Sequence, residues 1–480
     1  MLVLIPKITG AQVMGDFRPI ALANFQFKIV TKILADRLSI ITMRIISPEQ
    51  RGFIRDRNIS DCIIMASEAV NMIDKRQFGG NLALKVDIKT RWIGTFGRGA
   101  SEVWFFFYVY RLNSCYFALS QAFYFGEWAI SMASHAGKIV PMFYCRGASI
   151  PTHILYADDV LIFCAGTKQN IRCLLKFFND YSEVSAQIIN NNKSQFYAGA
   201  MTTSHSQMIA GTLGFSADNI PFFYLGCPIF KGKLKGIYFQ SIVDRIKVKF
   251  AIWKCTLLSI MGRVELVKSI IHGMLVYSFQ IYMWPRRLLH QLDSWIKNFI
   301  WSGDIYTHKV CTVSWKVMCR PWAAGGLDIK PTCLINESLI LLLAWQFSTA
   351  DSQWAALMHH RFLKHGTPLQ HYFLSSMWGG IKEHLSTISS NSIWIVGTGA
   401  NINLWTDNWL GIRLVDSLNI SPTLHTKFRA SVADVIVNGA LSLPAAALAV
   451  PDIASRVACL VLPTAPLPDA LVWLHSSDVV

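Results

Sequence analysis

The chain has 480 residues, long enough for two or three domains, and its 45 basic against 29 acidic residues give a formal net charge of +16. Such a balance suits a phosphate-backbone partner, although a basic surface can also serve solubility alone. Its eleven cysteines show neither a paired spacing nor a secretory leader. This argues against a secreted, disulfide-stapled protein and for reduced thiols in an intracellular one.

Two helices are predicted near the start of the chain. Apolar residues recur at helical spacing over residues 25–43, and Pro48 follows. Residues 59–73 repeat this pattern, with Asn58 or Ser60 as the expected cap.

The next predicted element is a strand that carries a single acid. Residues 81–88 read N-L-A-L-K-V-D-I, an apolar β-prone run with Asp87 near its end. Beyond it, residues 92–128 are crowded with aromatics, including W-F-F-F-Y-V-Y at 104–110. Arg111 and Asn113 interrupt that run before the roughly 20 apolar residues that a membrane-crossing helix needs, so we predict no membrane span.

A hairpin with two adjacent acids follows. Residues 154–163 read I-L-Y-A-D-D-V-L-I-F, which puts Asp158 and Asp159 between two apolar strands. Asp is a common turn former, so the pair could simply cap an ordinary hairpin. Neighbouring buried carboxylates nevertheless repel each other unless one takes a proton or a cation lies between them. A strand bringing Asp87 beside them would complete a carboxylate cluster of the kind that holds Mg²⁺.

The remainder is predicted to be mainly helical. Residues 170–184 form an amphipathic helix, residues 231–284 a helical and basic stretch, and residues 288–301 a further helix. A zinc site at His308, Cys311, Cys319 and Cys333 is not predicted, because the cysteine spacings match no closed ligand set. Residues 441–468, rich in Ala and Pro, are expected to be a linker or a weakly packed segment.

Short motifs occur in a fixed order on both sides of the hairpin. Upstream are L-I-P-K at 4–7, D-F-R-P-I-A-L at 16–22, K-I-V-T-K-I-L-A-D-R-L at 28–38 and E-Q-R-G-F-I at 49–54. Downstream are I-N-N-N-K-S at 189–194, Y-L-G-C-P-I at 224–229 and W-K-x-x-x-L-S-x-x-G-R at 253–263. With K-V-D and Y-A-D-D, this series resembles the reverse transcriptases of plant non-LTR (LINE-type) retrotransposons, in a degenerate and truncated copy.

The resemblance implies a fold and an activity. The fold would be α+β, a right-hand polymerase of fingers, palm and thumb with a mostly helical C-terminal extension. The activity would be that of an RNA-directed DNA polymerase, which extends a DNA 3′ end on an RNA template with deoxynucleoside triphosphates. No membrane and no evident protein partner are expected, and the location would be nuclear or cytoplasmic.

Specific residues acquire roles by the same resemblance. Asp87, Asp158 and Asp159 would hold two Mg²⁺ ions, one activating the attacking hydroxyl and the other stabilising the leaving oxygen. Lys193 would protonate the departing pyrophosphate. Candidates for contact with nucleotide or template are Arg18, Arg55, Arg57 and Tyr156, although each arginine could equally be a solvated surface residue. Tyr224, Leu225 and Gly226 match the primer grip.

The helical stretch after the primer grip would be a thumb that clamps the template–primer duplex. Its expected phosphate contacts are Lys231, Lys233, Lys235, Arg245, Lys247, Lys249, Lys254, Arg263 and Lys268. The predicted organisation is therefore 1–80 fingers and upper palm, 81–230 palm, 231–301 thumb, 302–412 post-thumb connector, and 413–480 a linker-like tail that stops before any zinc-binding domain.

The chain departs from the family pattern in two places. Asp56 stands where the family prefers Gly, which predicts a perturbed turn. The family's R-Q-G-D-P-L motif, which aligns the incoming nucleotide, occurs nowhere, and we interpret residues 91–135 as the product of a frameshift, deletion or mis-splicing. Because such positioning carries much of a catalytic rate, three hypotheses stay open: an impaired polymerase, an inactive nucleic-acid-binding remnant, or an unstable pseudogene fragment.

Overall fold

The computed structural model divides into two compact units, one formed by residues 1–144 and 149–229 and the other by residues 145–148 and 230–480. It describes the chain except residues 1, 7–9, 13–16, 23, 48, 53, 91–129, 131, 135, 143–150, 186, 254–257, 308, 310–312, 365, 372, 438, 464 and 476–480. Trp92 and most of the segment interpreted as aberrant therefore lie outside the described residues. The secondary structure is mixed, with β-strands concentrated in the first unit and helices in the second.

The first unit contains ten strands and four helices whose bounds the structure describes in full, and residues 130 and 132–134 are also helical. In chain order they are β1 (Leu2–Pro6), β2 (Phe17–Ala21), α1 (Phe25–Ile45), α2 (Ile59–Met72), β3 (Asn81–Thr90), β4 (His153–Tyr156), β5 (Asp159–Ala165), α3 (Lys168–Ser185), β6 (Gln187–Ile189), β7 (Gln195–Ala198), α4 (Thr203–Leu213), β8 (Ser216–Ala217), β9 (Phe222–Tyr224) and β10 (Cys227–Ile229). The predicted helices over residues 25–43, 59–73 and 170–184 are confirmed with small changes of boundary. Asn58 stands at the cap of α2, but its side chain makes no capping hydrogen bond.

Strand β3 is the centre of a six-stranded sheet with the order β4-β5-β3-β7-β8. Its first half pairs with β7 and its last three residues pair with β6, while β5 runs antiparallel along its other edge. Alternate residues of β3 enter an apolar core, in which Leu84 and Val86 pack with Leu174 of α3 and Ile209 of α4. The intervening residues of β3, which include Asp87, belong to the opposite face of the sheet.

Helix α1 differs from the helix that its amphipathic pattern suggested. Several of its apolar side chains are exposed, among them Phe25, Val30 and Ile40. The spacing predicted the helix correctly, but the burial of its apolar stripe is not found.

The second unit contains eleven α-helices and six short strands among its described residues. They are α5 (Gln240–Ile252), α6 (Ile260–Leu266), α7 (His272–Phe279), α8 (Arg286–Ser302), α9 (Trp315–Met318), α10 (Thr332–Thr349), α11 (Gln353–Phe362), β11 (Leu363–Lys364), β12 (Thr367–Pro368), α12 (Trp378–Ser390), β13 (Ser392–Ile395), α13 (Leu414–Ser417), β14 (Ile436–Val437), β15 (Ala440–Leu441), α14 (Ala445–Leu448), α15 (Pro451–Cys459) and β16 (Ala470–Trp473). The predicted helix over residues 288–301 is confirmed as α8.

A buried asparagine ties helix α10 to the segment that joins α7 and α8. The Asn336 side chain accepts a hydrogen bond from the Trp284 backbone N–H over 2.8 Å. Its amide group donates to the carbonyls of Phe279 and Tyr282 over 3.0 and 2.9 Å. Trp284 and Tyr282 are themselves buried, so Asn336 supplies hydrogen bonds to backbone groups in the interior of the unit.

The last part of the chain packs around a core of its own. Trp409, Leu414, Val432 and Ile453 are buried together, and β16 pairs with β13 in an antiparallel ladder. Of the described residues in 441–468, Leu443, Ala447 and Ile453 are buried in this core, and most of the others are exposed or half-buried. The linker-like tail at 413–480 stays a prediction.

The carboxylate of Asp469 closes the loop that follows β13. It accepts hydrogen bonds from the backbone N–H groups of Gly397, Gly399 and Asn401 over 2.8, 2.7 and 3.0 Å. Partial burial raises the pKa of Asp469, but these donors outweigh that effect and hold the pKa below its usual value. The G-T-G sequence is therefore a loop filled by an internal carboxylate.

Within the described ranges, no single helix combines the length and hydropathy that a membrane crossing requires. Helices α10 and α11 satisfy both only when they are taken together, and they meet at an angle of 87°.

We predict that Asn336→Ala lowers the free energy of unfolding by about 3 kcal/mol, because it removes three buried hydrogen bonds to the backbone. Chemical denaturation of the purified protein measures this change. Glu337→Ala, at the exposed neighbouring position of the same helix, is the matched control and should change stability far less. Equal effects of the two substitutions would contradict this account of Asn336.

Candidate functional site

The sheet brings two of the three predicted metal-binding acids to facing positions. Asp87 of β3 pairs in register with Asp159, the first residue of β5, and Asp159 also faces Tyr156 of β4. Asp158 stands in the turn between β4 and β5 and is exposed, whereas Asp87 and Asp159 are half-buried. The expectation that adjacent strands juxtapose Asp87 with the hairpin acids is confirmed.

The electrostatics of this carboxylate cluster, which we define as Asp87, Asp158 and Asp159, disfavour full ionisation. Burial raises the pKa of Asp159, and the negative charge of Asp158 raises it further. The Lys85 ammonium opposes this rise and Asp87 adds to it. A neighbouring cation would lower the free energy of the charged cluster.

Residues of the segment between β6 and β7 form hydrogen bonds with Asp87. Its carboxylate accepts a hydrogen bond from the Asn190 side chain over 3.1 Å. Its backbone N–H donates to the Ser194 hydroxyl over 3.1 Å, and its carbonyl accepts from the Asn190 N–H over 2.9 Å. Both residues belong to the I-N-N-N-K-S motif, but sequence reasoning assigned no role to them.

The hairpin turn is shaped by a segment more than a hundred residues earlier in the chain. The Gln50 side-chain oxygen accepts hydrogen bonds from the N–H groups of Ala157 and Gly52, over 3.0 and 2.8 Å. Ala157 has a positive φ of 55°, an uncommon conformation for a residue with a side chain. Gly52 lies so close to it that a Cβ atom there would come within 2.5 Å of the Ala157 nitrogen.

Lys85 links β3, the strand that carries Asp87, to the predicted primer grip. It lies two residues before Asp87, and its ammonium donates to the backbone carbonyl of Phe223 in β9 over 2.8 Å. The rings of Phe222 and Tyr197 stack at 3.9 Å and hold the same hairpin against β7. The period of two along a strand was the signal that could have placed Lys85 on the face of Asp87.

The predicted primer grip is a tight hairpin between β9 and β10. Leu225 and Gly226 form its turn with φ values of 48° and 79°, and the flanking Tyr224 pairs with Cys227. Positive φ at both central residues is the geometry of the tightest two-residue hairpin turns, which explains Gly at the second position. Contact with a primer stays a prediction.

The predicted contacts to nucleotide or template fall in different environments. Arg55 is 77% exposed and lies 3.9 Å from the Asp56 carboxylate, a surface ion pair of little energetic value. Arg57 is half-buried, and its guanidinium donates to the carbonyls of Ser47 and Gln50, so it acts as a structural clamp in this loop. Arg18 lies in β2, and its side chain is outside the described residues.

Asp56 and Lys193 were each the subject of a separate prediction. Asp56 adopts a φ of 61°, the left-handed conformation that favours Gly, which agrees with the family preference for Gly there. Lys193 is exposed in the turn between β6 and β7. Its role in proton transfer stays a prediction.

The predicted thumb residues divide into exposed and buried ones. Arg263 is 8% exposed and donates to the Ile300 carbonyl over 3.0 Å, so its assignment as a phosphate contact is corrected to a structural one. Lys231 is half-buried, Lys268 is 23% exposed beside Asp328, and Lys254 lies outside the described residues. The exposed members are Lys233, Lys235, Arg245, Lys247 and Lys249.

A preformed metal-ligand set is not found in the part of the chain that the structure describes: no three His, Cys, Asp or Glu side chains are arranged to hold an ion. This applies to the carboxylate cluster as well as to Cys319 and Cys333. His308 and Cys311, the other members of the zinc set considered above, lie outside the described residues.

Comparison with known proteins gives one partial relationship. No family model matches the chain. Over 190 residues the chain is 26% identical to the Arabidopsis thaliana protein named "Putative ribonuclease H protein At1g65750", an alignment that covers 38% of this chain and 31% of that protein. The chain thus spans less than a third of the length of this relative.

We predict that Gly52→Ala destabilises the first unit by about 1–3 kcal/mol, because its Cβ would displace the Ala157 backbone and disturb the turn that carries Asp158. Chemical denaturation reports the loss. Gly211→Ala in α4 is the matched control, since a Cβ there meets nothing within 4 Å, and it should stabilise the helix by about 0.5–1 kcal/mol. A neutral Gly52→Ala would rule out close packing as the reason for this glycine.

We also predict that Asp159→Asn stabilises the fold near neutral pH. The raised pKa of Asp159 means that the folded state favours the protonated carboxyl, so ionisation costs stability as the pH rises through that pKa. The gain in melting temperature should therefore be largest near neutral pH and should shrink in acid. Asp180→Asn, at an exposed position of α3, should show no such trend. A pH-independent gain for Asp159→Asn would refute this electrostatic origin.

Proposed function

We propose that the first unit is the palm of an RNA-directed DNA polymerase, which joins a deoxynucleotide to a DNA 3′ end on an RNA template. The observation that carries the proposal is the register of the sheet, in which Asp87 faces Asp159 and Asp158 occupies the adjoining turn. Repulsion within an acidic cluster of this kind destabilises the fold, so its presence on the sheet favours a function that uses it.

Three further observations support the same reaction. The β9–β10 hairpin is hydrogen-bonded to β3 through Lys85, which links the proposed primer contact to the strand that carries Asp87. The basic exposed residues of α5, including Arg245, Lys247 and Lys249, suit nucleic-acid phosphates. The partial similarity to a plant protein named for a ribonuclease also supports a nucleic-acid substrate.

The donor set fits magnesium by its chemistry. Carboxylate oxygens are the ligands that Mg²⁺ prefers, and a cation would oppose the repulsion that raises the pKa of Asp159. Asp87, Asp158 and Asp159 would hold the ions, which would supply charge stabilisation for the attacking and leaving oxygens. The Asn190 side chain donates a hydrogen bond to the Asp87 carboxylate, and the Lys85 ammonium offsets part of the negative charge of the carboxylate cluster.

A second candidate is nucleic-acid binding without catalysis. It is favoured by the finding that, in the described chain, the three acids do not already form a set able to hold an ion. The absence of the R-Q-G-D-P-L motif from the sequence points the same way. In that case the basic helices of the second unit would still bind nucleic acid, although nucleotide transfer would have been lost.

Primer extension distinguishes the two candidates. Purified full chain is given an RNA template annealed to a DNA primer, deoxynucleoside triphosphates and Mg²⁺, and primer elongation is followed on a gel. We predict extension that falls roughly a hundredfold or more in Asp158→Ala, because a metal ligand is removed.

Asp180→Ala serves as the control for loss of an exposed acid, and it should extend the primer as the unmodified chain does. Tight template–primer binding with no extension by the unmodified chain would overturn the polymerase in favour of the binding-only protein. Extension that persists in Asp158→Ala would show that the carboxylate cluster is not the site.

A further inference from the structure

The second unit presents an exposed tryptophan on a rigid loop between α9 and α10. Trp322 begins a short 3₁₀ turn at residues 322–324 and is 53% exposed, although it is among the largest apolar side chains. Isolated exposed apolar residues are common on protein surfaces. Trp322 differs from them because close backbone contacts hold the loop that carries it.

Backbone hydrogen bonds close the loop on both sides of the tryptophan. The N–H groups of Leu327 and Asp328 donate to the carbonyls of Met318 and Arg320 over 2.8 and 2.9 Å. Gly326 lies so close to Arg320 that a Cβ atom would come within 2.0 Å of its carbonyl oxygen, and Asp328 holds a φ of 51°. The loop is therefore fixed by close backbone contacts, and little conformational freedom remains to be lost on binding.

One lysine lies over the exposed ring, and a second lysine pairs with the same carboxylate as the first. The Lys268 ammonium lies 5.5 Å from the centre of the Trp322 ring and 3.9 Å from the Asp328 carboxylate. Lys330 pairs with the same carboxylate over 2.9 Å and is half-exposed. An exposed aromatic ring with an ammonium group over it and a second lysine on the same carboxylate matches a nucleobase joined to phosphates, since a base stacks on an aromatic ring and phosphates attract ammonium groups.

We propose that Trp322 is a stacking platform for a base of single-stranded nucleic acid, with Lys268 and Lys330 meeting the adjoining phosphates. The occupant follows from charge, because the chain carries a net charge of +16, Lys268 lies over the ring and Lys330 shares the Asp328 carboxylate with it. The proposal rests on the nucleic-acid partner of the proposed function, but it requires neither nucleotide transfer nor the carboxylate cluster.

Fluorescence anisotropy of the full chain with two labelled oligonucleotides tests the platform. One is oligouridine of about twelve nucleotides, within the usual site sizes, and the other is an abasic strand of equal length and charge. Trp322→Ala should weaken oligouridine binding roughly tenfold, the contribution of one stacked base, and leave abasic binding unchanged. Trp322→Phe should restore most of the affinity, while Lys268→Met should weaken both strands and reduce the dependence on salt.

Phe78→Ala is the control for removing an exposed aromatic, because Phe78 is 89% exposed in the first unit, and it should change neither affinity. Equal loss of both strands in Trp322→Ala, or no loss of either, would overturn the proposal. So would Trp322→Ala that lowers binding to phosphatidylserine–phosphatidylcholine vesicles but not to oligouridine. A circular-dichroism melt of each variant separates unfolding from lost binding. Because no Mg²⁺ or triphosphate is present, a failed primer extension leaves this test intact.

Discussion

Repulsion among three carboxylates is the constraint on which the arrangement of the first unit depends. The register of β3 with β5 forces Asp87 and Asp159 together, and the hairpin turn adds Asp158. Lys85 supplies a positive charge on the same face, and the Asn190 side chain donates a hydrogen bond to the Asp87 carboxylate. Stability and function thus compete at this point of the sheet, as they do at many sites built from like charges.

The carboxylate cluster was within reach of sequence reasoning because its determinants are local. Alternation along two short apolar runs predicted the strands, and the position of Asp87 at the end of one run predicted the meeting with Asp158 and Asp159. The support from Gln50 was not predictable in this way. It acts on Ala157 across 107 positions, and no periodic pattern encodes a hydrogen bond between segments that distant.

The wrong or incomplete assignments share a different cause. Arg263 and Arg57 have the charge expected of phosphate contacts, but their guanidinium groups donate to backbone carbonyls within the fold. Charge on a helix or loop specifies a possible partner, whereas burial depends on which elements pack against it. The core after residue 395 was not predicted for the related reason that it is assembled from short elements, whose individual patterns are weak.

The carboxylate of Asp469 also links the start of the C-terminal region to its end. Gly397 approaches the chain just before this residue so closely that a Cβ atom would come within 2.2 Å of the Leu467 carbonyl oxygen, and β16 immediately follows. Hydrogen bonds and strand pairing therefore hold the start and the end of this region together. Any fragment that lacks either segment loses three hydrogen bonds from backbone N–H groups to the Asp469 carboxylate and the pairing of β13 with β16 at once.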